Sequence, residues 1–177
     1  LMSVYWLRCA RGDNPIFSIR LFETRSFTVG IIGNLFARLG SGAVPFLMPL
    51  FLQLGIGLSP FVAGMFMIPT AIAGIISKQM ITPLVNRFGF RRLLTITTVA
   101  VGAMIASFSP IGHESSPFLL LFLLALLGVV NSMQFTAMNS LTLIDLPEHE
   151  AGSGNSLLSV TMQIAGGTGV AMAAALV

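Results

Sequence analysis

Pro83-Leu84-Val85-Asn86-Arg87-Phe88-Gly89-Phe90-Arg91-Arg92 is a short basic turn between two long runs that carry almost no charge. Three arginines in ten residues do not lie in hydrocarbon, and the flanking runs are too long and too apolar for a soluble core. The turn therefore marks a water interface, and the runs on either side cross a membrane.

Working outward, 39 residues without a formal charge lie between Arg38 and Lys78. A helix rises about 1.5 Å per residue and needs roughly 20 residues to cross, so this stretch with its lead-in from Phe27 holds two spans. The break between them is Gln53-Leu54-Gly55-Ile56-Gly57-Leu58-Ser59-Pro60, where Ser59 caps a new helix and Pro60 takes its first position. Beyond the basic turn, residues 93–112 carry neither charge nor histidine, and Ser116-Pro117 repeats the Ser-Pro start. Thirty uncharged residues separate Glu114 from Asp145, and 27 more follow Glu150. The expectation is an all-α polytopic membrane bundle of about five transmembrane helices, at 28–52, 60–82, 92–109, 117–141 and 154–177. Residues 1–26 are expected to hold the end of a preceding helix (Leu1–Leu7) and a polar linker with four arginines. A chain that opens on Leu1 and stops at Val177 inside an apolar run is expected to be cut at both ends.

Composition agrees. The 177 residues are 55% hydrophobic and 8% charged with a mean hydropathy of +0.92, against roughly 25% charge in a soluble domain. The net charge of +3 does not point to nucleic acid, because the nine Lys and Arg sit at the ends of apolar runs rather than on one solvated face. Lone Cys9 excludes an internal disulfide framework and a cysteine metal site. The linker has four arginines and the Pro83 turn three, while the loops at 53–59 and 110–116 have none, so the positive-inside rule puts the linker, the turn and the acidic loop 145–150 in the cytoplasm.

Few residues could carry chemistry. Arg38 stands near the middle of the first full span, where insertion scales set a cost of about 2.5 to 3.5 kcal/mol, so the bundle should solvate or pair it. Asn34, Arg38, Ser41 and Pro45 recur at helical spacing as one polar stripe. It faces either a wet cavity or a structural partner. Asn131 and Gln134 share a face of the fourth span, and Gln163 lies in the fifth; each either lines a substrate path or glues helices together. Ala165, Gly169 and Ala173, at intervals of four, let another helix approach closely. Lys78 reads as an interfacial lysine that snorkels to water. Asp145, Glu148, His149 and Glu150 resemble a ligand cluster, but Pro147 interrupts it and an acidic loop is the better reading. No metal site or enzyme centre is expected.

The turn Leu84-Val85-Asn86-Arg87-Phe88-Gly89-Phe90-Arg91-Arg92 resembles the cytoplasmic G-x-L-x-D-R-x-G-R-R loop of the major facilitator superfamily. Thr82 stands at its glycine, Asn86 at its aspartate and Phe90 at an arginine. Ser153-Gly154-Asn155-Ser156-Leu157-Leu158, Met162-Gln163 and Gly166-Gly167-Thr168-Gly169-Val170-Ala171 are similar to the penultimate core helix of its fourteen-helix drug:proton antiporter branch. The segment Pro15 to Phe27 resembles the lead into the second half of those transporters. The resemblance implies a C-terminal-half fragment of a multi-pass inner-membrane transporter that exports lipophilic or amphipathic small molecules. It implies the proton as coupling ion with no other cofactor, and as partners the bilayer and the missing N-terminal half. It implies that the Arg38 and Asn131 spans line the cavity, which makes Asn34, Arg38, Ser41, Asn131 and Gln134 candidate cavity residues beside Gln163 from the residue reading, and Asn86, Arg87, Gly89, Arg91 and Arg92 loop-motif residues. A permease for a sugar or organic anion and a non-transporting scaffold stay open as alternatives.

Overall fold

The computed structural model describes residues 19–109, 111 and 116–176. The expected span end at 1–7, Cys9, most of the linker, and His113 with Glu114 lie outside the described residues. All regular structure among those described is helical. A short 3-10 turn, Ile19–Glu23, leads into α1 (Arg25–Ser41), followed by α2 (Val44–Leu50), α3 (Pro60–Ser77), α4 (Ile81–Ser107), α5 (Pro117–Leu143) and α6 (Glu148–Leu176).

α1 and α2 form one interrupted stretch, Arg25–Gly55, of 31 residues. Proline causes the interruption: Pro45 brings no N–H to the carbonyl of Ser41 and its ring pushes that carbonyl aside. The Ser41 hydroxyl turns back and donates to the Ala37 carbonyl at 2.8 Å. Pro49 repeats the effect one turn later, and the chain widens into a π turn over Phe51–Gly55. Gly57, at φ 77°, then reverses direction. Ser59 caps α3 as expected, its Oγ accepting the Val62 N–H at 3.4 Å.

The helix that starts at Pro60 runs on through a 3-10 turn at Lys78–Met80 into α4, a stretch of 48 residues to Ser107. Straight, it would reach about 72 Å, more than twice the hydrocarbon thickness of a bilayer. Gly89 breaks it, with φ 74° and ψ 158°, a region open in practice only to glycine. The expected ten-residue turn at 83–92 is therefore corrected to a bend at one residue: 83–88 continue the incoming helix, and the outgoing one begins at Phe90 instead of residue 92. Pro83 is tolerated because it lies in the first turn after the 3-10 segment, where its missing donor costs little. Two buried clusters fix the fold-back. Ala63 meets Met104 and Phe108 at one end, together with Met48, Leu52, Leu120, Leu124 and Leu127. Ile81 meets Leu93 and Ala137 at the other.

α5 is the hub, packed against α1, α3 and α4. Its crossing with α3 uses small residues: Ser132 Oγ donates to the Gly74 carbonyl at 2.7 Å, and Thr70 Oγ1 to the Leu124 carbonyl at 3.1 Å. α6 packs chiefly on α1, where Leu21, Phe27, Ile31 and Leu158 form a third buried cluster. It begins at Glu148, six residues before the expected 154, because Pro147 suits a helix start and Glu148 and Glu150 sit favourably in its first turn. The acidic loop at 145–150 is corrected accordingly: its second half is helix. Among the described residues, four continuous helical stretches are long and apolar enough to cross a membrane, and Gly89 divides one of them in two. Large side chains such as Phe61, Val99 and Phe118 point outward, 67% exposed or more, as hydrocarbon requires and water forbids.

Candidate functional site: a polar cleft on three helices

The continuous helix through Lys78 and the proline break in α1 together leave a gap between α1 and α3, floored by α5. It is a cleft of about 360 Å³. α1 contributes Asn34, Arg38 and Ser41, with Gly42 and Pro45 from its kink; α5 contributes Asn131, Ser132, Gln134, Phe135 and Met138; Thr70, Gly74, Ile75 and Lys78 line the third side. Arg38 lies 13 residues after Arg25, about 20 Å along the helix, and Lys78 lies 11 residues before Gly89, about 16 Å from the bend. Arg38 is also 17 residues from Gly55, about 25 Å, so it falls near the middle of its stretch, whereas Lys78 is 18 residues from Pro60, about 27 Å, and falls toward the Gly89 end.

Five of the six cavity candidates, Asn34, Arg38, Ser41, Asn131 and Gln134, meet in this cleft. Gln163 does not: it is exposed on α6, and the cleft contains no α6 residue. The amide question resolves in two ways at once. Asn34, 2% exposed, donates through Nδ2 to Thr142 Oγ1 and to the Gly30 carbonyl, both at 3.2 Å, tying α1 to α5. Gln134 donates through Nε2 to Thr98 Oγ1 at 2.9 Å, tying α5 to α4. Each lines the cleft yet spends its donor on a neighbouring helix. Asn131 has no hydrogen-bond partner among the described residues.

Arg38 stacks on Phe135, with Cζ 3.9 Å from the ring centroid, a cation–π contact worth about 0.5 to 2 kcal/mol depending on desolvation. No carboxylate lies within ion-pair distance of it among the described residues. Lys78, expected as an interfacial lysine, also lines the cleft, which the sequence reading did not anticipate. The helix runs on past it to Phe88. The clue in the sequence is Gly89, the one residue of the turn able to take a left-handed backbone without strain.

Around the cleft, Ala165 and Ala173 are buried on the face of α6 that meets α1, and Gly169 allows the approach. A methyl at Gly169 would stand 2.9 Å from the Leu39 carbonyl oxygen and 3.2 Å from that of Arg38. The loop-motif residues Asn86, Arg87, Arg91 and Arg92 flank Gly89 and are exposed. At the same end, Glu23, Thr24, Asp145, Pro147, His149 and Glu150 line a second hollow. No group of three His, Cys, Asp or Glu is placed to hold a metal among the described residues.

The sequence profile described as Major Facilitator Superfamily matches residues 7–170. The chain belongs to the Major Facilitator Superfamily. Among relatives of this major facilitator chain are three proteins named "Putative multidrug resistance protein MdtD". That of Pectobacterium atrosepticum is 43% identical over 169 residues, 96% of this chain and 36% of the relative. That of Serratia proteamaculans is 43% identical over 176 residues, 99% and 37% of the two chains. That of Escherichia coli strain K12 / DH10B is 42% identical over 172 residues, 97% and 36%. The major facilitator chain thus spans a little over a third of the length of the curated relatives it matches.

Proposed function

We propose that this chain forms five crossings of a secondary transporter that exports lipophilic or amphipathic compounds through the inner membrane in exchange for protons. The cleft of α1, α3 and α5 would be one wall of its substrate path. The observation that carries this reading is the meeting of Arg38, Lys78 and Asn131 in one cleft between the helices, in a chain otherwise built for hydrocarbon. Intramembrane ionisable groups mark substrate or ion paths far more often than they serve packing. Relatives named for multidrug resistance support the substrate class.

Transport follows by rocking one half of the protein against the other around a midplane site. Coupling needs a group that takes up and releases a proton inside the membrane. The described carboxylates, Glu23, Asp145, Glu148 and Glu150, all lie near the Gly89 end of the bundle, and a guanidinium effectively never deprotonates. A carboxylate proton carrier would then lie outside the described helices, in the part of the relatives that this chain does not cover. The test uses the full-length transporter in everted vesicles with an imposed pH gradient. Dye accumulation that collapses with an uncoupler is expected, and accumulation indifferent to the gradient would refute proton-driven export.

A further inference from the structure

We propose that the cleft selects substrates carrying an anionic group, held between Arg38 and Lys78, with Asn131 as an additional donor. This rests on the reading of the cleft as part of the substrate path and names the chemistry of what enters it.

The inference comes from an inventory of donors and acceptors. Eight polar side chains line the cleft: Asn34, Arg38, Ser41, Thr70, Lys78, Asn131, Ser132 and Gln134. Five have already given their protons away. Asn34 and Gln134 donate to neighbouring helices, and Ser41, Thr70 and Ser132 donate to backbone carbonyls. The hydroxyls and the amide oxygens keep acceptor lone pairs, but the two charged groups of the cleft, Arg38 and Lys78, are donors only. A ligand that pairs with both must bring acceptors.

Charge points the same way. No carboxylate lines the cleft; Glu23, Asp145 and Glu150 line a separate hollow, and Glu148 sits in the first turn of α6. Two cations lining one cleft with no counter-ion among the described residues repel each other and any cationic drug. A carboxylate or sulfonate relieves both. Arg38 offers the planar fork that takes two oxygens together, and Lys78 reaches in from the facing helix as a point charge. Phe135 stacks against the guanidinium. Ile75 and Met138 line the same space and suit an apolar body attached to the anion. A volume of about 360 Å³ is at the small end of pockets that take such molecules.

The competing arrangement is a carboxylate from the rest of the transporter that neutralises the pair and leaves no anion site. The experiment separates the two. Purified full-length transporter is titrated, by scintillation proximity without a proton gradient, with radiolabelled naphthalene-1-sulfonate and with the cation 1-naphthylmethylammonium. The wild type is expected to bind the sulfonate at least tenfold more tightly. Lys78→Met should lower sulfonate affinity about tenfold with little effect on the cation, Lys78→Arg should restore it, and Lys78→Glu should reverse the preference. Lys78 is exposed in this chain, so these variants keep the test open if Arg38→Met fails to fold. Cation binding equal to or tighter than sulfonate binding, or a ratio unchanged in a monodisperse Lys78→Met protein, overturns the inference. Because no gradient is used, a transporter that binds the anion but shows no proton-driven flux would refute the export reading and leave this one standing.

Discussion

Replacing Gly128 with alanine tests the crossing that floors the cleft. A Cβ on Gly128 would fall on the Thr70 carbonyl oxygen and 2.9 Å from the Thr70 Cα. Both are backbone atoms, so no side-chain rotation relieves the clash. Carbon atoms rest at about 3.5 to 4.0 Å, so α3 and α5 must part by roughly 0.6 to 1 Å. Overpacking of this kind costs about 1 to 3 kcal/mol. The same separation stretches the Ser132–Gly74 and Thr70–Leu124 hydrogen bonds, each worth on the order of 0.6 kcal/mol between membrane helices. Together the loss is about 2 to 4 kcal/mol. Thermal unfolding of the full-length transporter in detergent, followed by fluorescence-detected size exclusion, should show the variant melting well below wild type. Gly102 provides the control, since its Cβ would meet nothing within 4 Å. Gly102→Ala should be neutral or stabilising by up to about 1 kcal/mol through helix propensity. Equal melting of Gly128→Ala and Gly102→Ala would refute the close approach and the cleft geometry built on it.

Three further outcomes are expected. Gly89→Ala places a side chain at φ 74° and ψ 158° and should cost roughly 1 to 3 kcal/mol, read as lost yield of folded transporter, whereas Gly152→Ala, equally free of neighbours, should not. Cysteines introduced at Ser41 and Asn131 should react with a water-soluble thiol reagent and be protected by substrate, while one at outward-facing Val99 should not react; equal labelling would remove the case for a wet cleft. Neutralising Glu23, Asp145, Glu148 and Glu150 one at a time should leave proton-coupled efflux largely intact, and Arg38→Ala should impair it. A carboxylate variant that uncouples efflux at normal expression would place the proton carrier in this chain.

The helices were legible because charge-free runs longer than a bilayer is thick have no other stable form. Their ends were less so. Pro83, Asn86 and the arginines all favour a loop by composition, yet only Gly89 leaves the helix, since prolines early in a turn and arginines at an interface do not forbid one. Glu148 and Glu150 were assigned to a loop for the same reason, although carboxylates suit a helix start. The stripe of Asn34, Arg38 and Ser41 could be read from period alone. Its partners could not, because Thr142 lies 108 positions from Asn34, and which helices are neighbours is a property of the packed bundle. Lys78 joined the cleft only once the helix was known to continue past it.

The two prolines of the first span have a mechanical consequence. Pro45 and Pro49 each leave a carbonyl without its usual helical donor, so two rungs one turn apart are missing between the part that carries Arg38 and the outer part that ends at Gly55. A helix bends most readily where such rungs are lost. Opposite this weak point α6 presents Gly166 and Gly169, with a Cβ on Gly42 only 3.1 Å from the Gly166 Cα. Backbone there bears on backbone, with no side chains to interlock. The inner part of the span is pinned to α5 through Asn34 and the outer part to the core through Met48 and Leu52, so any bend of this span falls at the kink between the two anchors, beside the charges of the cleft.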